Sequence, residues 1–286
     1  MKIKPQCIPC YFTQSINAMV KGNISEDDQL QVLNLLMPLV QNFKHNLSPA
    51  ENSSLVLHEL SNHFEGRDLF LDAKRKSNEQ ALSMLPLLEK ELAASEDPLW
   101  FAVQVSVAGN VVDLGILEGY DLEASLKEVF SKDFGHNDYS SFKKALEKSK
   151  SVLILGDNSG EIAFDTLLVK TLQGLGKEVT YCVKGGPVLN DATIEDAKQV
   201  GMDKLCRVIT TGNNFLGVVE KGLSSEFQNS LQNSDLIISK GQANYETISE
   251  IETFRTKTYY LLKAKCELVG NELGVKFGDL TFKLYN

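Results

Sequence analysis

The 286 residues, 43% hydrophobic and 23% charged, suit a soluble globular chain with an ample core in one or two domains. A formal net charge of −9 with no basic block excludes a non-specific nucleic-acid surface, so any anionic ligand must be held by a local cation. No run of about 18 uncharged apolar residues exists to cross a membrane, and MKIKPQCIPC lacks the apolar core of a secretion signal; a cytoplasmic setting is expected, with the five scattered cysteines reduced.

From the N-terminus to residue 148 the spacing is helical. EDDQLQVLNLLMPLVQNFKH, NEQALSMLPLLEKELAAS, LWFAVQVSVAGNVVDLGI and LEASLKEVFSKDF all repeat apolar residues at threes and fours. HNLSPAENSS and SEDPLW break the pattern, with Pro49 and Pro98 in polar surroundings suited to helix starts. Residues 1–148 are therefore expected to be helical, as one domain or a pair of small ones. After residue 149 short β-rich runs take over: SVLILG, EVTYCVK, CRVITTG, DLIISK and TYYLLKAK, with helices expected at 160–175, 191–200, 214–232 and 243–253. Strand alternating with helix predicts an α/β domain over 149–286, its mostly parallel sheet sandwiched by helices. Right-handed crossovers bring the strand-to-helix turns to one edge of the sheet, where ligands of open α/β sheets bind.

That edge is readable. After the first strand come Asp157, Asn158, Ser159, Gly160 and Glu161. KGGPVLND supplies Lys184, Gly185, Gly186, Asn190 and Asp191; TTGNN supplies Thr210, Thr211 and Gly212; SKGQANYE supplies Lys240, Gly241, Asn244 and Glu246. Singly, these residues are also what helix caps and ordinary turns use. Together they gather carboxylates, amides and two lysines, whereas QGLGKE and LQNSD at the opposite edge are plainer. Oxygen ligands without histidine suit Mg²⁺ or Mn²⁺ rather than structural zinc. Lysines beside glycine-rich turns at helix N-termini suit phosphate. A divalent ion beside a phosphate pocket means phosphoryl chemistry. Neither GxxxxGK[ST] nor a strand-following GxGxxG is present, which argues against a P-loop enzyme and a dinucleotide-binding one.

GDNSGEIAFD, KGGPVLNDAT, TTG and SKGQANYE, in this order and preceded by AGNVVDLG, resemble the damage-control phosphatase family, once catalogued as domain of unknown function 89. The resemblance covers most of the chain, and the CIPC start is similar to the archaeal and bacterial branch. It implies a phosphatase dependent on Mn²⁺, Mg²⁺, Co²⁺ or Ni²⁺, with an α/β sandwich behind a helical domain, acting on small phosphate esters such as sugar phosphates or damaged phospho-metabolites. It further implies that Asp157, Asn158 and Asp191 hold the metal and that Lys240 holds phosphate. Asn110 and Asp113 would close over the pocket; their spacing of three independently puts them on one helix face.

The hypothesis that follows has the metal polarising a phosphate oxygen while Lys240 and backbone N–H groups of the DNSGE and TTG turns, including Thr211 and Gly212, take up charge, with Asn110, Asp113, Glu161 and Asn244 around the substrate. Two nucleophiles stand open, a water on the metal or the Asp157 carboxylate, and Glu161 either orients that water or simply interacts with its helix N-terminus. Cys7 and Cys10 have three readings: structural residues, metal or cluster ligands together with Cys266, or a redox pair. Cys182 and Cys206 read as core, and the four histidines show no ligand spacing. Lys74 and Asn78, four apart on a helix, belong either to a solvated face or to the pocket. The competing functions are a metal- and phosphate-binding regulator without turnover, and a transferase dependent on a nucleotide or S-adenosylmethionine.

Overall fold

Each of the β-rich runs in the C-terminal half forms a strand, because branched and aromatic side chains fit a sheet buried on both faces. The computed structural model describes residues 1–111, 130 and 133–285, excepting the side chains of Asn110 and Val111. The strands are β1 (His136–Asn137), β2 (Ser151–Leu155), β3 (Glu178–Val183), β4 (Arg207–Thr210), β5 (Leu236–Lys240), β6 (Thr258–Lys263) and β7 (Leu280–Leu284). They make a 7-stranded sheet in the order β1-β7-β6-β5-β2-β3-β4. All neighbours are parallel except β6 and β7. The chain steps outward from β2 to β4, then returns to the other side of β2 for β5 and β6. That reversal opens a crevice between the C-terminal ends of β2 and β5.

The helices are α1 (Ile8–Lys21), α2 (Glu26–Gln41), α3 (Pro49–His63), α4 (Leu71–Ala94), α5 (Pro98–Val111), α6 (Tyr139–Lys148), α7 (Glu161–Gly174), α8 (Ile194–Gln199), α9 (Met202–Leu205), α10 (Ser225–Asn233), α11 (Gln242–Ile248), α12 (Glu252–Arg255) and α13 (Glu267–Leu273). Alternation along the strands sorts the core into two layers. Val152, Ile154, Ile238 and Leu261 face a cluster completed by α4 to α9. Leu153, Leu155, Ile237 and Leu262 face a second cluster under α10 to α13. A third cluster joins α1 to α3 with Val188 and Leu216, from the turns after β3 and β4, so these helices sit over the strand ends. Among the described residues no helix is long and apolar enough to cross a membrane.

Several boundaries differ from the sequence expectation. The helices α4 and α5 share the core of the sheet, so the first 148 residues are not packed as a separate body; α5 buries Ala102, Val103, Val105, Val107 and Ala108 and packs on α4, α7 and β6. The two-residue β1, inside the segment read as helical, pairs with β7 and is too short to carry a period. The helix expected at 214–232 starts only at Ser225: Gly217 and Gly222 take positive φ, and the Ser224 hydroxyl caps by accepting from Phe227 N. The one expected at 191–200 shrinks to α8 behind a capping box of Thr193 and Asp196, and the one at 243–253 splits into α11 and α12. The LEASLKEVFSKDF segment lies largely outside the described residues.

Phe142 on α6 lies fully buried, edge-on to Tyr259 and Phe282 with both ring centroids at 5.1 Å, and so ties α6 to β6 and β7. Phe142→Ala is expected to cost about 3–5 kcal/mol, read as a lower urea midpoint at unchanged slope.

Candidate functional site

The site begins where β2 ends. Gly156 passes so close to β3 that a Cβ there would lie 2.6 Å from the Tyr181 hydroxyl, and the chain then turns through Asp157 to Gly160, whose φ of 81° leads into α7. The loop after β3 is stitched alongside. Asn158 and Asp191 form an antiparallel bridge, Ala192 N donates to Asp157 O at 2.8 Å, and Ser159 donates through both N and Oγ to Asn190 O at 2.9 Å. On the other side of the crevice Gly241, with φ of 78°, follows β5; a Cβ there would sit 2.1 Å from Asp157 Oδ2. Only glycine leaves the carboxylate that space.

Asp157, Asn158 and Asp191 are thereby brought together. Both aspartates are buried. Asn158 Nδ2 donates to Asp157 Oδ2 at 2.9 Å and to Glu161 Oε1 at 2.7 Å, which turns its Oδ1 the other way. Asp191 Oδ2 has Lys184 Nζ at 3.6 Å, beyond hydrogen-bond range, and finds no other donor. Burial, reinforced by Glu161 and Asp191, pushes the Asp157 carboxyl up to about 7. Asp191 is pushed up to about 6 by burial, against the pull of Lys184 and Lys74.

Lys240 is fully buried at the end of β5, its Nζ 2.6 Å from Asp165 Oδ1 and 2.9 Å from Glu161 Oε2. Burial opposes its charge, but the two carboxylates outweigh that and hold its pKa above the ordinary value. Asn244 braces the crevice from within: its Nδ2 donates to Gly156 O at 3.1 Å and Lys240 O at 2.8 Å, and its Oδ1 accepts from Lys184 Nζ at 3.4 Å. Thr211 and Gly212 are not brought to the carboxylates. The Thr211 hydroxyl accepts from Gly185 N and donates to Asn213 O, while Gly212 abuts Ser224. Lys74 and Asn78 reach inward from α4: Lys74 pairs with Asp68 and Asp196, and Asn78 accepts from Gly160 N at 2.7 Å while donating to Asp196. The Asn110 side chain and Asp113 lie outside the described residues.

Above Asp157, Asn158 and Asp191 opens a cleft of about 660 Å³, whose far wall carries Cys7, Cys10, Cys266, Glu246 and Lys265. Burial raises the Cys7 and Cys10 thiols, with help from Glu246 and Cys266, so they stay protonated rather than reactive. Among the described residues no group of three or more His, Cys, Asp or Glu is disposed to hold a metal ion. Two carboxylates and one amide oxygen are hard donors, and a set of this kind fits a divalent ion such as Mg²⁺ or Mn²⁺. The sequence reading passed over Asp165, which accepts from Ser106, Tyr181 and Lys240. The available signal was its place four residues after Glu161, on the same face of the helix and between the apolar Phe164 and Leu168.

Residues 3–281 match the family described as "Damage-control phosphatase ARMT1-like domain". A damage-control phosphatase of Pyrococcus horikoshii is 32% identical over 98% of this chain and 97% of its own length. One of Archaeoglobus fulgidus is 32% identical over 99% of each chain. The crystal structure of a DUF89 family protein from Pyrococcus horikoshii superposes with a TM-score of 0.92 at 30% identity, covering 100% of both chains.

Glu246, whose carboxylate accepts from Gln242 at 2.9 Å, is pushed by burial up to about 7. A carboxyl raised in the folded state keeps its proton there when the unfolded chain has lost it, so its contribution to stability falls as pH rises from about 4.5 through 7. Glu246→Gln is accordingly expected to raise Tm at pH 8 in metal-free protein and to change it little at pH 4.5, checked by thermal unfolding at both.

Proposed function

The chain belongs to the damage-control phosphatase ARMT1-like domain family, and from that premise we propose that it is a metal-dependent phosphomonoester hydrolase acting on a small phosphorylated metabolite of the cytoplasm. The observation that carries the proposal is the convergence of Asp157, Asn158 and Asp191 at the reversal of strand order, two buried carboxylates and an amide lining one cleft.

The donors fit Mn²⁺, Mg²⁺, Co²⁺ or Ni²⁺, held by Asp157, Asn158 and Asp191. Such an ion supplies Lewis-acid polarisation of a phosphoryl oxygen. The protein's own groups do the rest. Asn158, tethered to Asp157 and Glu161, presents its amide oxygen in a fixed direction. The N-terminus of α7 opens at Gly160 beside these ligands and adds the positive end of its dipole. Lys240 supplies a buried positive charge one carboxylate away from Asn158; because its ammonium is engaged by Asp165 and Glu161, direct contact with a phosphoryl oxygen requires the substrate to take the place of Glu161. Lys265, on the cleft wall, is placed to meet an anionic group of the substrate. The turns after β3 and β4 that carry Val188 and Leu216 pack under α1 to α3, beside the cleft.

The test is phosphate release from a panel of small phosphomonoesters with and without each of the four ions. Asp157→Asn and Asp191→Asn are expected to lower metal-dependent release by about a hundredfold or more. Because each replacement removes a buried charge at constant volume, Tm should not fall. Turnover retained in both variants would refute the site.

A further inference from the structure

Beneath the cleft lies a chain of buried polar groups whose innermost member, Asp165, the chemistry above leaves without a role. Asp165, in the middle of α7, receives three donors on its two oxygens: Ser106 Oγ and Lys240 Nζ at 2.6 Å on Oδ1, and Tyr181 OH at 2.6 Å on Oδ2. Acceptance on this scale is the pattern of an ionised carboxylate. Asp165 is wholly inaccessible, as are Lys240, Ser106 and Tyr181. Lys240 continues at 2.9 Å to Glu161 Oε2, and Glu161 Oε1 accepts from the Asn158 amide at 2.7 Å. The chain clears room for this line. A Cβ at Gly109 would lie 2.7 Å from Glu161 Cγ, and one at Gly156 would lie 2.6 Å from the Tyr181 hydroxyl.

An Asn side chain has two ends. Whichever way Asn158 is turned decides whether oxygen or nitrogen faces the cleft, and only the oxygen binds a cation. We propose that Asp165 is a positioning residue that, through Lys240 and Glu161, holds the Asn158 amide with its oxygen toward the cleft and so sets the affinity for a divalent ion. The inference rests on the metal site proposed above. Ser106 on α5 and Tyr181 on β3 fix Asp165 from two sides, so the orientation of one amide is referred back to the sheet and the buried helix as well as to Asp157 in the loop that carries it.

The experiment is Mn²⁺ binding by isothermal titration calorimetry, without substrate, to the wild type and to Asp157→Asn, Asp165→Asn, Lys240→Met, the Asp165→Asn/Lys240→Met double variant and Tyr181→Phe, each with its Tm. Asp165→Asn is expected to weaken Mn²⁺ binding about 10- to 100-fold, the range for groups that orient a ligand. The double variant should bind no more weakly than the product of its parts would require, and measurably better than that product, because both act along one line. Tyr181→Phe removes a single donor and should weaken binding by a few-fold, and it decides the matter if Asp165→Asn does not fold. A residue of purely structural importance would lower Tm and leave the affinity of the folded protein unchanged, and wild-type affinity in both Asp165→Asn and Tyr181→Phe overturns the inference. Wild-type protein that binds no Mn²⁺ overturns the metal site and this inference with it, whereas binding lost in Asp157→Asn but kept in the others overturns this inference alone.

Discussion

Asp157 and Asp191 are buried side by side, and the surrounding fold is arranged about the cost of doing so. Taking a carboxylate out of water is unfavourable unless a partner replaces the lost hydration. The neighbouring cations are shared: Lys184 donates to Gly217 O at 2.7 Å and pairs with Asp191 at 3.6 Å, Lys74 lies between Asp68 and Asp196, and Lys240 between Asp165 and Glu161. Burial displaces both carboxyls upward, to about 7 and about 6, against the pull of nearby lysines. A divalent cation, as proposed, would offset that cost, and the same burial would strengthen the hold of the pair on the ion.

Topology explains why these groups meet at all. The return of the chain from β4 across to β5 leaves β2 and β5 adjacent with their following turns diverging, and the crevice between them is where Asp157 faces Gly241. Asn244 then ties the two sides by donating to a carbonyl on each. Over this edge sit α1 to α3, whose core includes Val188 and Leu216 from the very turns that carry the site. The cap and the floor of the cleft are thus parts of one packing arrangement. Displacing the cap would disturb the turn that ends in Asp191.

How much of this could be read from the chain depends on the range of the interactions concerned. The apolar run of β2 and the polar turn after it are local, and period and composition suffice for both. Pro49 and Pro98 likewise announce α3 and α5 through their caps, where Ser48 and Glu51 bond reciprocally and Asp97 accepts from Trp100 N. What escaped was set by distant partners. The antiparallel β7 gains its place from β6 and β1, and α5, apolar all round, carries no stripe to say that it would lie between α4 and α7. Thr211 and Gly212 share the edge with the carboxylates in the linear reading, yet their bonds run sideways to Gly185, Asn213 and Ser224. Asp165 looked like one more helical charge, because its three donors come from α5, β3 and β5.

Asp165, Lys240 and Glu161 also show why burial of an ionic group is poor grounds for a stability argument. Desolvating such a cluster offsets most of its mutual attraction, and apolar residues of similar volume commonly serve a core as well or better. A hydrophobic replacement, however, has no direction, whereas a carboxylate bonded on both oxygens has one. The two glycines that make way for the cluster, Gly109 and Gly156, carry a further entropic cost in helix or strand surroundings. A chain under selection for stability alone has little reason to keep this arrangement. One that must hold the oxygen of a single amide toward an ion has a physical reason for every member of it, since an error of a bond rotation at Asn158 would present a proton donor where an acceptor is required.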